Sequence, residues 1–207
     1  MSVIFYTNPM SRGQIVRWAL EEFGVDYEQR LMGYGTSMKD ADYLAINPMG
    51  KVPSIVHDGQ IVTECAAICA YLAEAFPEAG LAPTPAERAN YYRWLFFAAG
   101  PVEQAVVARS MGWDVPPEKQ GMAGFGTFDL TIDTLTGHLA SHAYVCGDRF
   151  TAADIYVGSQ VLWGLDFKSI PTRPELEAYA DRLRPRPAYQ KAKAIDGALI
   201  AEAQAKG

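Results

Sequence analysis

The chain holds only three cysteines, Cys65, Cys69 and Cys146, with no C-x-x-C pair or metal-ligand spacing among them. An odd number cannot pair completely, so reduced thiols in a reducing compartment are expected rather than a disulfide framework. Basic residues are also in short supply, with 18 Lys and Arg against 24 Asp and Glu and a formal net charge of -6. They are scattered along the chain. A nucleic-acid partner is therefore not expected, because a phosphate backbone rewards a concentrated positive face. Long apolar runs are lacking too: the most apolar, Trp94 to Val102, is broken by Gly100 and Pro101 and bounded by Arg93 and Glu103. It is too short to span a bilayer. The segment Met1 to Pro9 offers no basic stretch ahead of its few apolar residues, so no secretory leader is read there and a cytoplasmic address is expected. His138 and His142 share a helix face, but without a third ligand or the glutamate of H-E-x-x-H they read as a solvated or packing pair, and no metal is expected.

What is present is the composition of an ordinary globule, 49% hydrophobic and 20% charged over 207 residues, enough for one or two domains. Val3 to Thr7 is a short β-favouring run of the kind buried on both faces, stopped by Asn8-Pro9. A helix follows, with Ser11 as its cap, Gln14 as the capping-box partner, Val16, Ala19, Leu20 and Phe23 facing inward, and Gly24 at its end. Tyr27 to Leu31 reads as a strand and Met38 to Ala45 as a short helix. Asp58-Gly59 turns a hairpin between Ser54 to His57 and Ile61 to Val62, and a helix over Thr63 to Phe76 is capped by Thr63. Pro77 to Pro85, with three prolines and Gly80, is the expected linker. Beyond it β-favouring alternation disappears. Helices are expected over Ala86 to Arg109 (kinked at Gly100-Pro101), Glu118 to Ala140, Ala152 to Phe167, Pro174 to Leu183 and Pro187 to Gln204. Thr151 and Asp154 fit a reciprocal capping box preceded by Phe150.

The richest stretch is Asn47-Pro48-Met49-Gly50-Lys51-Val52-Pro53, followed by Thr63-Glu64-Cys65-Ala66-Ala67-Ile68. The Val52-Pro53 bond, between a glycine-containing turn and an apolar strand, is expected to be cis and to leave the Val52 main chain facing outward. Helix-start amides beside the Glu64 carboxylate suit a ligand bearing both an amine and a carboxylate. These two runs resemble the cytosolic glutathione transferase family, whose glutathione site is built from an N-P-x-G-K-V-P loop and an E-S-x-A-I helix start, here with Cys65 in place of serine. Gly147 to Ile155 is similar to the G-x-x-F-T-x-A-D-I element of that family's second domain.

The resemblance implies a thioredoxin-like α/β domain over residues 1–79, an all-helical domain over 86–207, a cytoplasmic homodimer, and a detoxifying transfer of the glutathione thiolate to a hydrophobic small-molecule electrophile without a metal. It implies glutathione contacts at Lys51, Val52, Pro53, Glu64 and Cys65. Met10, Gln104, Val107, Ala108 and Trp113 are the expected electrophile wall. Two hydroxyls are candidates for stabilising the thiolate. Ser11-Arg12 matches the S-P-x-S-R pattern of several members, Tyr6 with Arg17-Trp18 matches the tyrosine-using register, and Met10 occupies the catalytic position in the register of serine-using plant classes. Backbone donors alone are the third option. A glutathione-dependent peroxidase or thiol reductase, or a non-catalytic glutathione-binding module, are the alternatives; the reductase needs a cysteine that Asn8 to Gln14 does not contain.

Overall fold

The computed structural model describes residues 3–206, so Met1 and Ser2 of the segment read for a leader, and Gly207 of the expected helical domain, lie outside the described residues. The chain divides into two compact units, one formed by Met1–Ala82 with Pro185–Gly207, the other by Pro83–Arg184.

The first unit carries a four-stranded sheet in the order β2-β1-β3-β4. Strand β1 (Val3–Thr7) runs parallel to β2 (Tyr27–Leu31) and antiparallel to β3 (Ser54–His57), which pairs antiparallel with β4 (Gln60–Thr63). Asp58 and Gly59 both take positive φ, 50° and 77°, as a tight hairpin turn of this hand requires. Val3, Phe5 and Thr7 are fully buried whereas Ile4 and Tyr6 are half-buried, so β1 is less completely enclosed than expected. Helix α1 (Gly13–Phe23) covers the Phe5 and Thr7 side, with the Arg17 guanidinium 5.3 Å from the Phe5 ring centroid. Gly13 approaches so closely that a Cβ there would meet the Thr7 hydroxyl. On the other side, Tyr6 packs with Met32, Met38 and Tyr43, beside the short α2 (Ala41–Leu44). The helix expected over Met38 to Ala45 is split, with a 3₁₀ turn at Ser37–Lys39 ahead of α2. Helix α3 (Cys65–Ala75) follows β4.

The C-terminal helix departs from expectation. Read as part of the helical domain, it packs in the first unit. Tyr189 meets Trp18 edge-on, Ala192 is buried, and Asp196 forms a buried pair with Arg17 at 2.8 Å. Arg186 grips Glu22 with two bonds, and Lys191 reaches Glu21 at 2.6 Å. These polar links flank a stripe of Tyr189, Ala192, Ile195 and Leu199, the partly or fully buried face of the helix.

The second unit is helical. Helix α4 (Arg88–Phe97) passes through a π-helical turn at Ala98–Val102 into α5 (Glu103–Ser110), and Pro101 lies within that turn. The kink expected at Gly100-Pro101 is thus a widened turn, which accommodates a residue without an N–H. Helix α6 begins only at Phe128 and ends at Leu139. The expected start at Glu118 is replaced by a 3₁₀ turn at Pro117–Lys119 and a loop with Gly121, Gly124 and Gly126. Thr127 then caps α6 by accepting from the Leu130 amide at 3.1 Å.

Helices α7 (Ala152–Asp166) and α8 (Pro174–Leu183) complete the unit, and α9 (Pro187–Lys206) is the docked helix of the first. The Thr151–Asp154 capping box is present. Phe150, just before it, is buried and meets Tyr144 edge-on. The His138 and His142 rings stack at 4.1 Å, and each directs a ring N–H to a backbone carbonyl, Val145 and His138 respectively. Among the described residues no group of three or more His, Cys, Asp or Glu could hold a metal, and no helix is long and apolar enough to cross a membrane.

Candidate functional site

The loop from Asn47 to Pro53 is fixed from within. The Asn47 side chain accepts from the Met49 amide at 3.1 Å and donates to the Lys51 carbonyl at 2.8 Å, where the Tyr43 hydroxyl also donates at 2.6 Å. Gly50 takes φ 58°, and a Cβ there would sit 2.7 Å from the Met38 carbonyl oxygen, so the tight turn admits only glycine. With the Lys51 carbonyl held twice and the Val52-Pro53 peptide cis, the direction of the intervening peptide is set. The main-chain N–H and C=O of Val52 have no hydrogen-bond partner among the described residues. Lys51 is exposed, and its ammonium has no carboxylate partner among the described residues.

The second element differs from its reading. Thr63 is the last residue of β4 rather than a cap, and the N-cap position belongs to Glu64, without a side-chain cap bond. Glu64 adopts φ 68°, ψ 120°, a conformation that costs an L-residue about 1–3 kcal/mol. Its exposed carboxylate makes no interaction with any described residue. The first main-chain acceptance into α3 is from Ile68 to the Glu64 carbonyl at 2.8 Å, which leaves the amides of Ala66 and Ala67 without protein acceptors. A carboxylate and two unengaged amides at the positive pole of a helix therefore stand side by side, in a strained backbone.

Cys65 points elsewhere. Its buried thiol donates to the Arg12 carbonyl at 3.6 Å, joining the start of α3 to the start of α1. The serine-like role of its side chain toward a ligand carboxylate is not the one this geometry offers. Burial pushes the Cys69 thiol up to about 12 and the Cys146 thiol to about 11, so both stay protonated and inert.

Of the two hydroxyls, Ser11 is not the side-chain cap of α1. Arg12 occupies the N-cap position, and Ser11 instead closes the turn before it, donating to the Asn8 carbonyl at 2.6 Å and accepting from the Gly13 amide at 2.9 Å. Gln14 reaches the Pro9 carbonyl rather than forming a capping box. Tyr6 lies on the opposite side of the sheet from α1, its ring 5.4 Å from that of Tyr43. Met10 is 61% exposed, and its carbonyl receives the Tyr34 hydroxyl at 3.3 Å.

Four of the residues expected to line the electrophile pocket, Gln104, Val107, Ala108 and Trp113, lie in the helical unit. Gln104 is exposed and Val107 half-buried. Trp113 and Ala108 line a cavity of the helical unit together with Ala105 and Arg109. The extra residue in the π turn shifts every later face of the helix by one position. Ala108 and Trp113 belong both to the expected wall and to this cavity.

The N-terminal domain model of glutathione S-transferase matches residues 1–74, and its C-terminal domain model matches residues 101–187. The chain is similar to glutathione S-transferase GstB of Escherichia coli (strain K12), 31% identical over 202 residues that cover 92% of this chain and 97% of that one. Among solved structures it is similar to a glutathione transferase from Methylococcus capsulatus, with TM-score 0.77 and 30% identity over 94% of this chain and 98% of that one. It is also similar to a glutathione transferase homologue from Sulfitobacter with bound glutathione, with TM-score 0.74 and 27% identity over 93% and 97%. Two domain models in chain order, and relatives matched along nearly their whole length, show that the chain belongs to the glutathione S-transferase family of enzymes.

Proposed function

We propose that this transferase binds glutathione along the Lys51–Pro53 loop and the start of α3, and adds its thiolate to a hydrophobic electrophile. The observation that carries the reading is Glu64, held at positive φ with an unengaged carboxylate beside the free amides of Ala66 and Ala67. A γ-glutamyl group carries an ammonium and a carboxylate on one carbon, and these two features complement both. Val52 pairs its outward main chain with the peptide of the ligand, as an added strand would, and Pro53 fixes the direction of that edge. Lys51 supplies the charge for the glycyl carboxylate. Cys65 contributes by tying α3 to α1 through the Arg12 carbonyl. The Sulfitobacter relative with bound glutathione supports this choice of ligand.

A free thiol titrates near 8.5, and each unit of lowering needs about 1.36 kcal/mol of differential interaction. Ser11 is the proposed donor and Tyr6 the alternative. The Gly13 amide donates to the Ser11 oxygen and so polarises the hydroxyl, whose proton can rotate from the Asn8 carbonyl to a neighbouring sulfur. The thiolate then forms a C–S bond to the electrophilic carbon, and a leaving group departs with its electron pair. Met10, Gln104, Val107 and Trp113 are the proposed electrophile contacts. A cytoplasmic homodimer belongs to the same proposal.

Initial rates with glutathione and a nitro-activated aryl halide test it. Turnover that saturates in both substrates is expected, with negligible reduction of a mixed disulfide because no cysteine lies between Asn8 and Gln14. Robust disulfide reduction without conjugation would overturn the reading.

A further inference from the structure

The turn between β1 and α1 carries Ser11, the proposed thiolate donor, and the side chain of Asn8 pins that turn from two directions. We infer that Asn8 is a positioning residue for the transfer reaction: its side-chain amide sets the direction of the main-chain carbonyl that holds the Ser11 hydroxyl. The inference rests on the reading of Ser11 as the donor.

At Pro9 the chain leaves the sheet, since proline has no N–H with which to continue the ladder. Just before it, the Met32 amide donates to the Thr7 carbonyl at 2.8 Å. One residue on, Asn8 Nδ2 donates to the Met32 carbonyl at 2.8 Å, so a side chain supplies the next bond between these two segments as the main chain turns away. Met32 is buried in a cluster with Met38 and Tyr43, which makes it a fixed anchor. Asn8 Oδ1 meanwhile accepts from the Met10 amide at 2.9 Å and closes an Asx turn over Pro9. The partners dictate this orientation of the side chain, because a carbonyl only accepts and a main-chain N–H only donates.

Held between these anchors, the Asn8 carbonyl receives Ser11 twice, from its amide at 3.1 Å and from its hydroxyl at 2.6 Å. The Gly13 amide donates to the Ser11 oxygen at 2.9 Å, so the hydroxyl stands in a continuous chain of bonds from Met32 through Asn8 to the start of α1. A donor aimed at developing charge is effective when its supports are already in place and need not reorganise. Asparagine offers a donor and an acceptor from one short side chain. Alanine removes both; serine keeps an acceptor for the Met10 amide but does not reach Met32; aspartate would set a carboxylate oxygen against the Met32 carbonyl.

Thiolate absorbance against pH in the glutathione complex tests the inference, with the parent, N8A, N8S, S11A and each Asn8 variant combined with S11A, beside kcat and KM for a nitro-activated aryl halide. N8A is expected to move the bound thiol back toward its free value and to lower the thiolate fraction and kcat at pH 6 about three- to tenfold, with glutathione affinity within about twofold of the parent. N8S should fall between N8A and the parent, and it carries the same comparison if N8A fails to fold. In the S11A background neither Asn8 variant should add to the shift, since a residue acting through Ser11 then has nothing to act on. A shift in S11A with none in N8A or N8S would overturn the inference and leave the Ser11 reading standing, whereas no shift in S11A would overturn both. An Asn8 effect that persists undiminished in S11A, or glutathione affinity lost with the titration unmoved, would also overturn it.

Discussion

Replacing Glu64 with alanine is expected to weaken glutathione binding ten- to hundredfold, measured by isothermal titration. The substitution removes a charge-assisted hydrogen bond to the γ-glutamyl ammonium, worth about 1.5–3 kcal/mol. Because Glu64 holds no other described residue, the folded chain should lose nothing else. Glycine at the same position separates strain from function. Its backbone tolerates φ 68° freely, so E64G should be more thermally stable than the parent by about 1 kcal/mol while binding glutathione as poorly as E64A. Stability gained together with affinity lost is the signature of strain kept for a ligand; unchanged affinity in both variants would remove Glu64 from the site.

Asp154→Ala is expected to cost about 3–5 kcal/mol, a fall in melting temperature on the order of 10 °C. The fully buried carboxylate accepts from the Val145 amide and the Tyr179 hydroxyl on one oxygen, and from the Thr151 amide and hydroxyl on the other, all between 2.8 and 3.0 Å. Alanine would orphan these donors around the start of α7. Burial pushes the carboxyl up to about 6 from 3.8, against the pull of those four donors. A raised folded-state value means the folded protein holds its proton longer, so this group's contribution to stability falls as pH rises from about 4 to about 6 and is level above. D154N keeps one acceptor oxygen and does not titrate. It should be less damaging than alanine, and the parent's slope between pH 4 and 6 should flatten in its denaturation series. Glutathione affinity of folded D154N should match the parent, since the proposed glutathione contacts lie in the other unit.

The order of strands and helices in the first unit was legible because its signals are local: Asp58-Gly59 at the hairpin, Asn8-Pro9 after β1, and the two proline-bearing runs of the loop. Matched family models and relatives agree with the thioredoxin-like and helical architecture read from them. The strain at Glu64 was not legible, because nothing in a glutamate codes for φ 68°. Ser11 has the right chemistry for a cap, yet the same hydroxyl also suits a turn, and local pattern does not separate the two. The kink at Gly100-Pro101 was legible from the proline, but not its form as a π turn, which depends on how the carbonyls around Pro101 are satisfied. That helix α9 docks on α1 was not legible, because Asp196, Arg186 and Lys191 meet α1 at sequence separations of more than 160 residues.

The central claim is that glutathione lies where its sulfur is stabilised as a thiolate. Following the ultraviolet absorbance of the thiolate against pH in the glutathione complex tests it most directly, with the parent and S11A, S11G and Y6F compared. The account predicts a thiol titrating well below its free value of about 8.5 in the parent and in Y6F, and moving back toward it in both S11A and S11G. A bound thiol that titrates at the free value in the parent would contradict the account outright, leaving a chain that binds glutathione without activating it; a shift confined to Y6F would move the role from Ser11 to Tyr6.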